Sequence, residues 1–233
     1  MEQITQQPKQ KLKTEDTGIM FEMAICLAYG ILYDGTYKYG MEMPEKLKPR
    51  LAKLVELFPH YSHTAKKGAR YYFTSLTDET KHLSAKTNKR KRGQVAPQVI
   101  GQATPKKFCE IIGIAYTNDT ELKEYIQTNI LTLLPIFESY TFDCPTIYYN
   151  EAQNTIRIIT LNKPIEWDKY GRVWTRSWDK WNVSSRLNII VEGKKVSLLE
   201  VEIHKKNRTT MAIRWNYENF LTTFKQHLSI IHM

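Results

Sequence analysis

Cysteine is scarce in this chain. Cys26, Cys109 and Cys144 stand far apart among 233 residues, and no Cys-x-x-Cys pair occurs. That argues against a structural zinc site. The odd count argues against a disulfide framework and for the cytoplasm or another reducing intracellular compartment. No uninterrupted apolar run approaches the ~18 residues that cross a bilayer, so no membrane partner is expected. The first sixteen residues, MEQITQQPKQKLKTED, have no apolar stretch and do not read as a signal peptide. Glycine-rich phosphate loops, a Gly-x-Ser-x-Gly elbow and His-Glu-x-x-His are missing as well. Acid is short relative to base. The 24 Asp and Glu face 34 Lys and Arg, a formal charge of +10. A clustered surplus of this size favours polyanions.

The 42% hydrophobic content is enough to build a core. Residues 1–16 read as a flexible arm and 17–233 as a single α+β domain. Helical spacing runs over 17–32, where Glu22 is the lone acid. A second helix over 44–58 is interrupted by Pro49. Further helices are expected at 105–114, 119–140 and 216–231. Strands are expected at 70–76, 82–88, 147–149, 155–161, 186–191, 196–204 and 210–215. Helices lead, a hairpin and helices follow, and an antiparallel meander finishes. The expectation is a mixed or antiparallel sheet with flanking helices.

The most informative stretch is 69–108, ARYYFTSLTDETKHLSAKTNKRKRGQVAPQVIGQATPKKF. Two alternating runs flank the polar turn Thr77-Asp78-Glu79-Thr80, which reads as a hairpin. On the second run His82, Ser84, Lys86 and Asn88 share one face. Lys86 is suited to stabilising charge at a phosphate or orienting a nucleophile. A half-exposed strand with a polar outer face fits the same spacing. The run ends in a basic tract, Asn88-Lys89-Arg90-Lys91-Arg92, fit for phosphate contact or for simple solvation. Gln94, Gln98 and Gln102 follow. With Asn88 they carry amides that can bond adenine bidentately, or satisfy loop backbone. Thr104-Pro105 then signals a helix start.

Two other constellations stand out. On the strand at 196–204, Glu200, Glu202 and His204 share a face. They suit a divalent metal or acid–base work, or pair with Lys205, Arg208 and Arg214 as an outer sheet face. In EWDKYGRVWTRSWDKW, the aromatics Trp167, Tyr170, Trp174, Trp178 and Trp181 interleave with Lys169, Arg172, Arg176 and Lys180. Such a segment stacks on unpaired bases or covers one edge of a core.

The acid-bearing helix, the strand–turn–strand and Ser84-Ala85-Lys86 on the second strand together resemble the core of the PD-(D/E)XK nuclease superfamily, to which many type II restriction endonucleases belong. The resemblance covers roughly residues 17–108. It implies a restriction-endonuclease-like core and Mg²⁺-dependent phosphodiester hydrolysis. Lys86 takes the motif lysine, Ser84 the position of the motif acid and Glu22 the helix glutamate. The sequence departs from the pattern at two places. Ser84 is not an acid, and aromatic Tyr71 and Tyr72 stand where a first-strand aspartate is expected. Asp78, Glu200 and Glu202 are the remaining carboxylates that would join Glu22 on the metal. A DNA endonuclease acting as a homodimer follows from this resemblance. The alternative is a non-catalytic protein that binds DNA, RNA or single strands through the basic tract and the Trp/Arg-rich segment.

Overall fold

The computed structural model describes residues 13–65, 69–203 and 209–233. His204, Lys205 and Arg208 lie outside the described residues, as does most of the 1–16 arm. The fold is α+β. Helix α1 (Thr14–Tyr29) is followed by α2 (Glu42–Leu47), a 3-10 turn (Lys48–Leu51) and α3 (Ala52–Leu57). The break falls at Pro49, which cannot donate a helical hydrogen bond. Strands β1 (Tyr61–His63), β2 (Phe73–Ser75) and β3 (His82–Asn88) form an antiparallel meander.

After β4 (Gln94–Val95) and a 3-10 turn (Ile100–Gln102) come α4 (Pro105–Ile112), α5 (Asp119–Thr128) and α6 (Ile130–Ser139). Thr104 caps α4 by accepting the Lys107 N–H, as its place before a proline predicts. The expected single helix over 119–140 is instead two helices, broken at Asn129. The Asn129 side chain turns back to donate to the Tyr125 carbonyl.

These helices are the crossover that lets β5 (Thr146–Asn150) lie parallel to β3, since parallel neighbours need a long connection. β6 (Thr155–Leu161) returns antiparallel to β5. The first sheet has the order β1-β2-β3-β5-β6-β11, where β11 is Leu228–His232. The second sheet is antiparallel, in the order β4-β10-β9-β8-β7. It is built from β7 (Gly171–Trp174), β8 (Ser184–Val191), β9 (Lys194–Ile203) and β10 (Met211–Asn216), with β4 at one edge.

The helix expected over 216–231 is corrected. α7 covers only Tyr217–Thr223, and the chain's end pairs with β6 as β11. Leu228, Ile230 and Ile231 gain a sheet edge there, and that long-range gain outweighs any helical continuation.

Both faces of the first sheet are covered, which is why β5 is buried along its whole length. One face meets α1–α3 through Phe21, Ile25, Leu51 and Leu54, packed on Leu83, Ile147 and Ile158. The other face, including Tyr148 and Ile159, joins a larger core with α4–α7 and the second sheet.

Candidate active site and nucleic-acid interface

β2 is short, and it pairs with β3 only through Phe73–Leu83 and Thr74–His82. Past Leu83, that edge of β3 has no strand hydrogen-bonded to it among the described residues. The opposite edge continues in register with β5, Lys86 facing Tyr148. A cleft of about 980 Å³ opens beside the bare stretch. β3 contributes Ala85, Lys86 and Thr87 to it. α1 contributes Thr14, Gly18 and Glu22, the segment before β2 contributes Tyr71 and Tyr72, and the 94–103 segment contributes Gln94, Gln98, Val99 and Gln102.

The Lys86 ammonium lies 5.5 Å from the centre of the Tyr72 ring and makes no ion pair among the described residues. Burial pushes its pKa down from the usual lysine range to about 8, and the charges of Asp143 and Glu22 pull it partly back; burial keeps the neighbouring Cys144 thiol neutral. Two carboxylates from separate parts of the chain thus bear on one lysine: a helix glutamate and an aspartate just before β5.

Glu22 sits at this cleft with a fixed partner. His63 Nε2 lies 3.5 Å from Glu22 Oε2, and His63 Nδ1 accepts the Asp34 backbone N–H at 2.9 Å. That bond assigns the ring proton to Nε2, which lies near the glutamate but makes no hydrogen bond among the described residues. Tyr33 stacks on the same imidazole at 4.5 Å. Asp143, which sequence reasoning missed, is anchored by Arg70 Nε at 2.7 Å. No local pattern marks it. It is not among the residues that line the cleft; its charge acts on Lys86 because β3 and β5 run side by side, with the Ser84 N–H donating to the Pro145 carbonyl.

The other proposed acids lie elsewhere. Asp78 stays in the β2–β3 turn, where its carboxylate accepts from the Thr80 N–H and hydroxyl and pairs with Lys81. It does not line the cleft. Glu200 accepts from Gln94 Nε2 at 2.5 Å and Arg186 Nε at 3.0 Å, one side chain removed from the cleft. Glu202 pairs with Arg214 at 2.9 Å. Ser84 is fully buried, and its hydroxyl has no hydrogen-bond partner among the described residues. No group of three or more His, Cys, Asp or Glu is arranged for a metal ion among the described residues.

The basic tract is a tight turn with its backbone pinned from below. Asn88 is buried; its oxygen accepts the Arg90 N–H at 2.7 Å and its amide donates to the Gln94 carbonyl at 3.0 Å. Asn150 Nδ2 reaches the Arg90 and Lys91 carbonyls, and Gln153 Nε2 donates to the Lys91 carbonyl at 2.7 Å. Gly93 closes the turn at φ 52°, where a Cβ would lie 2.6 Å from the Tyr148 hydroxyl. Only glycine fits that conformation in that space. Arg90, Lys91 and Arg92 consequently project into solvent, while Lys89 leans to Glu151 at 4.0 Å. Asn88 is therefore a backbone organiser.

The tryptophan-rich segment divides. Trp167 and Trp181 are buried, Trp167 stacking on Trp215 and donating to Glu138. Arg172 is committed to the Trp167 and Tyr170 carbonyls. Trp178, Arg176 and Lys180 remain exposed.

The cleft thus holds a buried lysine and one carboxylate, Glu22, with the Arg70-bound Asp143 acting on the lysine by its charge and a cationic turn following β3. No family model matches the chain, and no solved structure does so significantly. The chain is 39% identical over 229 residues to the type II restriction enzyme CviAII of Paramecium bursaria Chlorella virus 1, an alignment covering 94% of this chain. It spans 63% of that enzyme's length. In sequence, then, it is related to a restriction endonuclease.

Proposed function

We propose that the chain is a DNA endonuclease of the type II restriction class, hydrolysing phosphodiesters with a divalent metal such as Mg²⁺. The observation that carries this reading is Lys86 on the unpaired length of β3, inside a cleft that also takes in Glu22 and stands beside the basic turn. The similarity to a restriction enzyme supports it. The donor chemistry fits Mg²⁺, which takes one or two carboxylates and completes its shell with water and phosphate oxygens. Glu22, beside His63, and Asp143, anchored by Arg70, are the residues that would hold it. The metal would supply Lewis-acid stabilisation and an activated water.

The chain's own groups do the rest. Arg90, Lys91 and Arg92 grip the backbone, and Lys86 stabilises the charge that develops on the phosphorus oxygens. A homodimer would offer one cleft per strand of a palindromic site.

One observation favours the second reading, a protein that binds DNA or RNA without cutting it: Ser84 stands where the PD-(D/E)XK pattern that the sequence resembles has an acid. Incubating supercoiled plasmid with the protein, with and without Mg²⁺, separates the two. Discrete fragments in Mg²⁺ mean an endonuclease; retarded, intact DNA means a binder.

A further inference from the structure

Of the three glutamines between residues 94 and 102, two are committed. Gln94 donates to Glu200. Gln98 is buried, with its amide 4.0 Å from the Cys144 sulfur. Gln102 is exposed, lines the cleft and makes no side-chain hydrogen bond among the described residues. Val99 lines the same cleft and is 45% exposed. Its backbone sits at φ 56°, ψ −66°. A β-branched residue is strained there, and such strain persists only where the surroundings impose it.

The surroundings are rigid. Ile100 is fully buried, the Gln98 N–H donates to the Tyr140 carbonyl at 2.8 Å, and the Ala103 carbonyl accepts the Met211 N–H at 2.9 Å. A Cβ on Gly101 would stand 2.9 Å from both Ala96 Cβ and Pro97 Cδ, so the close packing of this turn requires glycine there. Inserting Gln98 and Ile100 into the core turns Val99 outward, and the turn then brings Gln102 to the same cleft. An apolar group and a free amide are thereby fixed on one surface beside Lys86.

We infer that Val99 and Gln102 are the sequence-reading pair of this site and that they read an A·T base pair in the major groove. This rests on the DNA-cleaving reading above. The Gln102 amide matches the adenine N6 donor and N7 acceptor, and the Val99 methyls match the thymine C5-methyl. No G·C pair offers that combination of a purine donor–acceptor edge and a methyl group.

The test uses binding, so that it is independent of cleavage. Wild-type protein in metal-free buffer selects duplexes from a randomised pool, and the retained sites are sequenced. A fixed A·T pair is expected. Replacing its thymine by uracil removes the methyl and should weaken wild-type binding while leaving Val99→Ala indifferent. Replacing its adenine by purine removes the 6-amino group but keeps N7, and should weaken wild-type binding by about 2- to 10-fold, the worth of one hydrogen bond. Gln102→Ala should not sense that change. Val99→Gly suits a positive φ and provides a folded variant if Val99→Ala does not fold; it too should ignore uracil. Retained sites without a fixed A·T pair overturn the proposal. So do variants that respond to the modified bases as the wild type does. If the protein cuts plasmid but shows neither effect, the A·T assignment falls while the endonuclease reading stands. If it neither retains DNA nor cuts plasmid, both fall.

Discussion

Glu22 and His63 face each other at 3.5 Å beside the cleft, and the imidazole is fixed in one tautomer by the Asp34 backbone N–H. The charge of this glutamate raises the pKa of Lys86 against the effect of burial. Removing that charge has a readout of its own. Cleavage that depends on the Lys86 ammonium should decline as pH rises through about 8. In Glu22→Gln the decline should begin at lower pH, on top of a lower maximal rate. A pH–rate profile of both proteins checks this; an unshifted profile removes Glu22 from the lysine's surroundings.

Lys86 should also cost stability. Its folded-state pKa lies below the unfolded value, so the unfolded chain binds the proton more tightly. The penalty is complete below about pH 8 and fades as pH rises toward the ordinary lysine value of 10.5. Lys86→Met should therefore raise Tm at neutral pH, with the gain shrinking across that window. Thermal melts at several pH values test the sign, and a gain that grows with pH contradicts it.

The basic turn makes a separate prediction. Arg90, Lys91 and Arg92 are exposed and Lys89 leans on Glu151. Each exposed cation replaced by alanine should reduce the log–log salt slope of duplex binding by about 0.9, if each contacts one phosphate. Asn150→Ala should weaken binding without touching a charge, because it releases the carbonyls that shape the turn. An unchanged slope in the triple variant takes the turn out of the interface.

Asp78 and Glu202 distinguish carboxylates by location. Asp78 is spent on its own turn and Glu202 on Arg214. Asp78→Asn and Glu202→Gln should keep wild-type cleavage rates, whereas Asp143→Asn should reduce them. Loss of cutting in the first two variants, with Tm unchanged, would return those acids to the active site.

What was legible in the sequence was local. The hairpin around residues 77–80, the Pro49 break, the Thr104 cap and the cationic tract are each written within a few residues. The cleft is not. It arises because β2 stops short of Lys86, and because α1 and the 94–103 segment, far apart in sequence, flank the gap. Asp143 carries no motif, since only the parallel β3–β5 register gives it meaning. Gln94, Gln98 and Gln102 looked equivalent by composition; only packing tells the buried and bonded amides from the free one. β11 was hidden because an apolar chain end reads as helix until a partner strand is known.

The central claim is that Lys86 acts on charge that develops during phosphodiester hydrolysis rather than on charge already present in bound DNA. Single-turnover cleavage and equilibrium DNA binding, measured side by side for wild type and Lys86→Ala in Mg²⁺ and in metal-free buffer, test it most directly. The account predicts discrete DNA fragments from the wild type, near-equal affinity for both proteins, and a cleavage rate about 10²- to 10³-fold lower in the variant. Equal cleavage by the two proteins, or a wild type that binds and never cuts in Mg²⁺, would contradict it.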